Sequence, residues 1–391
     1  MQPLSGVTVV ALEQAVAAPY ASRQLADLGA RVIKVERPGS GDFARSYDGR
    51  VRGLSSHFVW ANRNKESLTL DFKDPRGLAV LRRLVDRADV FLQNLAPGAA
   101  ARAGLGAGEL RARRPELIVC DISGYGSPGP YAGRKAYDLL VQSEAGLLSV
   151  TGTPEAVAKA GIAVSDIAAG MYAYSSVLAA LLERGRTGQG THLDVSMLEA
   201  TAEWLGFPLY YAFDGAPPPP RAGAAHATIC PYGPFAAGDG TVVMTAVQND
   251  REWRGFCTGF LGRPALATDP RYATNAGRDA HREELGRLIA ARFGELSGAE
   301  AMDLLDAVPV ANARVNSLAE VWAHPQLAAR GRWHSVPTPA GPVPALAPPG
   351  PTTGAPRMEA VPALGEHTGA VLAELGLSEE EIGALRADGV V

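Results

Sequence analysis

The sequence predicts an α/β protein built on a doubly wound parallel sheet, with a smaller α+β domain set into the middle of the chain. Three observations predict it. Short apolar runs alternate with amphipathic stretches through the first 120 residues, as in successive β–α units. The 391 residues exceed what one compact core usually holds. Two Pro-rich stretches, APPPP at 216–220 and a longer one over 337–356, interrupt the pattern and mark linkers.

In order along the chain, GVTVVAL (6–12) reads as a buried strand and PYASRQLADLGA (19–30) as a helix ending at Gly29. RVIKVE (31–36) and SLTLDF (67–72) are the next two strands, followed by a helix from Asp74 to about residue 88. DVFLQN (89–94) and ELIVCDIS (116–123) complete the set. Ligands of such sheets sit beyond the C-terminal ends of the strands. GYGSPG (124–129) is a formal G-x-G-x-x-G match, but Pro128 and Pro130 oppose a helix there and the match follows the fifth strand, so a strand-end loop is expected.

GIAVS (161–165) reads as a strand leading into a helix with apolar residues at 167, 171, 174, 178, 181 and 182. RGRTGQG (184–190) is then a turn and THLDVSM (191–197) a strand. GPFAAGDGTVVMTAV is a hairpin signal around Gly238, Asp239 and Gly240. A helical section over 250–322 follows, and LGEHTGAVLAELGLSEEEIGALRADGVV ends the chain as a helix returning to the large domain. This gives a large domain of 1–205 with 325–391, a small domain of 226–320, and linkers at 206–225 and 321–350. No internal repeat is found.

With 47% apolar and 20% charged residues the composition is that of an ordinary globular protein. A net charge of −4 excludes a broadly basic nucleic-acid binder. Basic residues cluster near the N-terminus, however: Arg31, Lys34, Arg37, Arg45, Arg50, Arg52, Arg63, Lys65 and Lys73. No run reaches the ~20 apolar residues of a membrane span, and MQPLSGVTVVALEQ lacks a secretory pattern. Cys120, Cys230 and Cys257 are odd in number and widely spaced, which argues against a disulfide framework and against a zinc site. A cytoplasmic protein without a metal site is expected.

Asp166 stands out. It is the only charged residue between Lys159 and Glu183, inside a run of Ala, Val, Ile, Leu, Ser and Gly. A carboxylate stripped of water costs several kcal/mol unless compensated. At a strand–helix junction Asp is a favoured N-cap. The same placement sets an ionised carboxylate at the ligand edge of the sheet, as a base or a nucleophile. Composition leaves both readings open.

Seven blocks carry a resemblance. They are LEQAVAAPYASRQLADLGARVIKVERPGSGD (12–42), NKESLTLDFKDPRG (64–77), NLAPGAAARAGL (94–105), GYGSPGPYAGRKAYDLLVQSEAG (124–146), GIAVSDIAAGMYA (161–173), RTGQGTHLDVSM (186–197) and LGEHTGAVLAELGLSEEEI (364–382). In order and spacing the chain resembles the family III CoA-transferases, relatives of formyl-CoA transferase and carnitine CoA-transferase. The resemblance implies a Rossmann-like large domain built from both chain ends, a small middle domain and an interlocked homodimer. It implies that Asp166 is a nucleophile forming an aspartyl anhydride and then an aspartyl-CoA thioester, with Tyr137 at the active site. It also implies coenzyme A or acyl-CoA as substrate, a small carboxylic acid as co-substrate, and no permanently bound cofactor.

Arg37, Lys73 and Arg102 match positions that hold the adenosine phosphates in the family, with Leu70 in the Lys73 segment. Asn94 and Leu95 match the pantetheine or adenine path. Val16, Ala17 and Ala18 match the place where the CoA arm passes the backbone, and Asp138 is added as a cofactor-binding or locally bonded residue. Val16 stands where formyl-CoA transferases carry Gln, which speaks against formyl or oxalyl substrates. The α-methylacyl-CoA racemases share the blocks but carry a His where this chain has Tyr137, which favours the transferase. A non-catalytic CoA-binding protein is the third alternative. The chain looks most like the branch acting between succinyl-CoA and C4–C5 dicarboxylic acids such as itaconate, mesaconate or citramalate. Arg45, Arg50 or Arg52 is then expected to meet the free carboxylate, with His226 as a further candidate. His57, His367 and Cys120 are read as structural.

Overall fold

The computed structural model describes residues 2–350 and 356–391. The chain forms two compact units: Met1–Leu147 with Ala160–Gly206 and Leu327–Val391, and Leu148–Lys159 with Phe207–Gln326. The sequence had given 148–159 to the large domain and had made 206–225 and 321–350 linkers. Here 148–159 and 207–326 cluster together, and 327–350 goes with the first unit.

The first unit holds a six-stranded, all-parallel sheet in the order β3-β2-β1-β4-β5-β6. Its strands are β1 Thr8–Leu12, β2 Arg31–Glu36, β3 Lys65–Thr69, β4 Val90–Gln93, β5 Ile118–Ser123 and β6 His192–Ser196. The order reverses between β1 and β4, which makes the crevice at their C-terminal ends the expected ligand site. The principal helices are α1 Ala17–Asp27, α2 Pro75–Val85, α3 Asp138–Glu144, α4 Val164–Thr187 and α5 Met197–Trp204. α2 starts as its sequence suggests: Asp74 accepts the Arg76 N–H and Pro75 needs no N–H there.

Alternate strand residues feed two cores. Val9, Ala11, Val32, Leu92, Ile118 and Cys120 bury one face against α1, α4 and α5. Val10, Leu12, Ile33, Val35, Phe91 and Val119 bury the other with α2 and the two C-terminal helices, Thr368–Glu374 and Glu379–Ala387. α4 is long and apolar enough to match a membrane span by length and composition. Its Ala168, Ala169, Gly170, Ala173, Val177 and Ala180 are buried in the core instead.

The second unit carries an antiparallel sheet of β7 Tyr232–Ala236, β8 Val242–Ala246 and β9 Ala311–Arg314. In its core Phe235 stacks on Phe293 at 5.2 Å and Phe260 packs on Phe293 at a tilt, 4.7 Å between centroids.

Four expectations are corrected. GIAVS is not a strand; α4 begins at Val164, and it runs through Thr187 to Gly188, whose φ of +73° ends it inside the expected turn. β9 interrupts the section expected to be helical. The Pro-rich stretch contains part of a hairpin, β10 Trp333–Val336 with β11 Val343–Leu346; its residues 351–355 lie outside the described residues. The final helix signal is two helices. Residues 124–137 form a loop, as the prolines require.

Candidate active site

The C-terminal ends of β1 to β4 surround a cleft of about 820 Å³. Each strand delivers the residues that follow it: Glu13 and Gln14 after β1, Arg37 after β2, Leu70 and Lys73 after β3, Asn94 and Leu95 after β4, then Arg102. All six residues expected on the nucleotide side, Arg37, Leu70, Lys73, Asn94, Leu95 and Arg102, therefore meet at one opening. Arg37, Lys73 and Arg102 are exposed there and form no ion pair among the described residues. Three cations without an acidic partner at one mouth, the Arg102 guanidinium donating to the Pro97 carbonyl, suit a phosphate-rich ligand.

Asn94 lines the cleft, but its amide is engaged. Its Oδ1 accepts the Gln14 N–H and its Nδ2 donates to the Gln14 carbonyl, both at 2.9 Å. Val16, Ala17 and Ala18 are buried at the start of α1 and do not line the cleft. Just before them Ala15 has a φ of +63°, a region that non-glycine residues seldom occupy.

Asp166 lies in the first turn of α4, not at its N-cap; that position is Ala163, which gives no side-chain bond. The cap comes from α3. Asp138 Oδ1 accepts the Ser165 N–H at 2.8 Å and the Asp166 N–H at 3.4 Å. Buried Gln142 donates to the other oxygen of Asp138 at 2.6 Å and accepts the Ala160 N–H at 3.0 Å. Asp138, expected among the cofactor-binding residues, thus holds the start of the helix that carries Asp166. Burial, then the Asp138 charge, pushes the Asp166 carboxyl up to about 7.

Tyr137, at the N-cap of α3, is 64% exposed. Tyr47, which sequence reasoning missed, ties these groups to the cleft. Burial first, then the negative charges of Asp42 and Asp166 and the nearby Tyr137, raise its hydroxyl to about 12. Asp42 also lines the cleft, so Tyr47 feels the charge of a cleft residue together with that of Asp166. Tyr47 lies in a short loop segment beside Phe43, and no periodicity singles it out.

Beneath the cleft lies a buried ionic cluster. Lys34 reaches Asp42 at 2.8 Å and Glu13 at 3.4 Å, and Lys65 reaches Glu13 at 2.7 Å. Burial would raise the Glu13 carboxyl, but the two lysines outweigh it and hold it low. Burial lowers Lys65 to about 7. The signal was present in RVIKVE, where a charge interrupts a buried strand.

Arg45 is not free for a substrate: it forms a two-point pair with Glu36 and lies 3.7 Å over the Phe58 ring. Arg52 donates to the Pro342 carbonyl. Arg50 is exposed and has no side-chain partner among the described residues. His226 Nδ1 accepts the Thr228 and Ile229 N–H groups, and its ring stacks on Tyr232 at 5.3 Å, so it shapes a turn of the second unit. His57 packs edge-on to Tyr47, and His367 accepts the Ser67 N–H. The three cysteines are free and buried, and no His/Cys/Asp/Glu metal cluster is found among the described residues.

A doubly wound sheet with a cationic cleft at its switch point and a poised carboxylate beside it defines an enzyme acting on a phosphate-bearing nucleotide substrate. More narrowly, the chain matches CoA-transferase family III over residues 4–368 and belongs to that family. It is 40% identical to the succinate–glutarate CoA-transferase of Agrobacterium fabrum over 84% of each chain. It is 33% identical to the succinyl-CoA–D-citramalate CoA-transferase of Chloroflexus aurantiacus, covering 100% of this chain and 98% of that one. Its fold superposes on a CaiB/BaiF family protein from Brucella suis with a TM-score of 0.84 and 35% identity, covering 96% of this chain and 99% of the other. It is a CoA-transferase by family, with CoA thioesters as substrates.

Proposed function

We propose that the protein moves CoA from succinyl-CoA to a C4–C5 dicarboxylic acid through a covalent intermediate on Asp166. The observation that carries this reading is the setting of Asp166: first turn of α4, capped by Asp138, raised to about 7, and acting on Tyr47 together with Asp42 of the cationic cleft. Relatives acting between succinate or succinyl-CoA and glutarate or citramalate support the donor and the acceptor class.

In this reading the ionised Asp166 attacks the thioester carbonyl and expels CoA thiolate, leaving an acyl-aspartyl anhydride. The thiolate attacks the Asp166 carbonyl, giving an aspartyl-CoA thioester and free succinate. The acceptor carboxylate attacks that thioester and expels the thiolate again, and the thiolate then takes the acceptor acyl group and frees Asp166. Splitting the exchange this way replaces one difficult step by several acyl transfers. Acylation also neutralises Asp166, which relieves its repulsion with Asp138 and its desolvation, so the factors that raise its pKa favour the intermediate. The first-turn amides of α1, which no side chain caps, are donors for the developing oxyanion.

Arg37, Lys73 and Arg102 hold the phosphates, Tyr137 borders the reacting centre, and Arg50 meets the distal carboxylate of the acceptor. An interlocked homodimer and a cytoplasmic setting complete the reading, the latter in keeping with three free cysteines. The test is a panel of dicarboxylic acids, glutarate, citramalate, mesaconate and itaconate, incubated with succinyl-CoA. Formation of the new CoA thioester with release of succinate is expected for at least one. Solvent deuterium at the α-carbon of a branched acyl-CoA without any transfer would contradict it.

A further inference from the structure

We infer that Asp42 is a positioning residue for the transfer: its carboxylate, reached from the cleft wall, holds Ala15 in the left-handed conformation and so fixes where α1 begins. This rests on Asp166 being the reacting group, and it adds a residue of the cleft wall that acts through the β1–α1 turn.

The β1–α1 turn, residues 13–16, has no ladder partner of its own beyond β1. Side chains hold it instead. Ala15 donates its N–H to Asp42 Oδ1 at 3.1 Å. Asn94 closes two bonds on Gln14. Lys34 reaches the Glu13 carbonyl at 3.4 Å, and Lys65 reaches the Pro19 carbonyl at 2.9 Å. Asp42 is itself fixed: Oδ1 also accepts the Ala44 N–H at 2.9 Å, Oδ2 takes the Lys34 ammonium at 2.8 Å, and its N–H goes to Glu36. The strain sits where the hold is: Ala15 has φ +63° with a Cβ that disfavours it.

What the turn positions is the edge of the reaction centre. A Cβ at Gly170, one helical turn beyond Asp166, would lie 2.8 Å from the Ala17 carbonyl. The first residue of α1 therefore abuts the helix that carries Asp166. A drift of Ala15 to an ordinary φ swings residues 16–18 on the same pivot. Asp42 also caps the short Phe43–Ser46 turn, so a purely structural role is the competing explanation, and glycine at position 15 separates the two. Glycine enters the left-handed region without steric cost but restores nothing to Lys34.

The experiment compares full-length wild type, D42A, D42A/A15G and A15V by steady-state kinetics with succinyl-CoA, thermal melting and hydrogen exchange of the segment 12–20. D42A removes the oxygen that accepts the Ala15 N–H and is expected to lower kcat by about a hundredfold, the size of a small misplacement of reacting groups, with KM for succinyl-CoA little changed and faster exchange in 12–20. D42A/A15G should regain most of that kcat while its melting temperature stays low. A15V leaves every charge in place and should also slow turnover and speed exchange, which keeps the test decisive if D42A does not fold. Unchanged kcat and exchange in D42A and A15V, or a double variant as slow as D42A, would overturn the inference. Wild-type transfer without an adduct on Asp166 would instead overturn the nucleophile reading, and exchange at 12–20 would still decide whether Asp42 holds the turn.

Discussion

Asp138 caps the helix that carries Asp166. Its Oδ1 accepts the N–H groups of both Ser165 and Asp166, while its negative charge adds to burial in raising the Asp166 carboxyl. One side chain thus supplies both position and electrostatics. The cap satisfies first-turn amides that Ala163 cannot, and the charge favours the neutral form of Asp166.

The rate of acylation should therefore follow the ionisation of Asp166. With a folded value of about 7 against an ordinary 3.8, single-turnover release of CoA should rise with pH, half-maximal near 7. Asp138→Asn removes a repelling charge and should move that midpoint downward. Stability runs the other way. The folded state keeps a proton that the unfolded chain gives up, so the contribution of Asp166 is fully present at acid pH and is lost as pH rises through the folded value. Rapid-quench kinetics and melting curves across pH 5–9 read both effects.

Glu13 should be a stability residue rather than a substrate contact. Glu13→Gln leaves Lys34 and Lys65 buried with their shared carboxylate gone. Breaking a buried pair in this way typically costs about 3–5 kcal/mol, visible as a lower urea midpoint with an unchanged slope.

Arg37, Lys73 and Arg102 should act on binding. Replacing any one by Ala should raise KM for succinyl-CoA by about ten- to a hundredfold, in line with roughly 1.5–3 kcal/mol for a bond to a charged group, and leave kcat nearly unchanged. A succinyl thioester of pantetheine, which lacks the phosphates, should show no such difference between wild type and variants.

Gly170→Ala should damage both packing and turnover. The added methyl would meet the Ala17 carbonyl at 2.8 Å and Tyr20 at 3.1 Å. Overpacking of this kind costs about 1–3 kcal/mol, and the forced separation of α1 from α4 should lower kcat as well. Thermal melting and steady-state assays measure the two together.

The parallel sheet was readable because each strand is a short apolar run closed by a turn residue; RVIKVE was placed to the residue. The cleft residues were readable through the resemblance to the family III CoA-transferases, and they share one cleft because they follow those strands. GIAVS was misread because Ile and Val favour strands locally, whereas the cap that starts α4 at Val164 comes from Asp138, far back in the chain. β9, ANAR, is a short, mostly exposed edge strand with no apolar alternation to mark it. The role of Asp138, the engaged amide of Asn94 and the nearness of Tyr47 to Asp166 arise from tertiary contacts, which spacing does not encode.

The most direct measurement is trapping of the covalent intermediate. Wild-type protein mixed with succinyl-CoA and hydroxylamine, digested and mapped by mass spectrometry, should carry a hydroxamate on Asp166 and lose activity in step with its formation; Asp166→Ala should neither react nor transfer CoA. An unmodified Asp166 in wild type, together with CoA transfer persisting in Asp166→Ala, would contradict the assignment of Asp166 as the nucleophile.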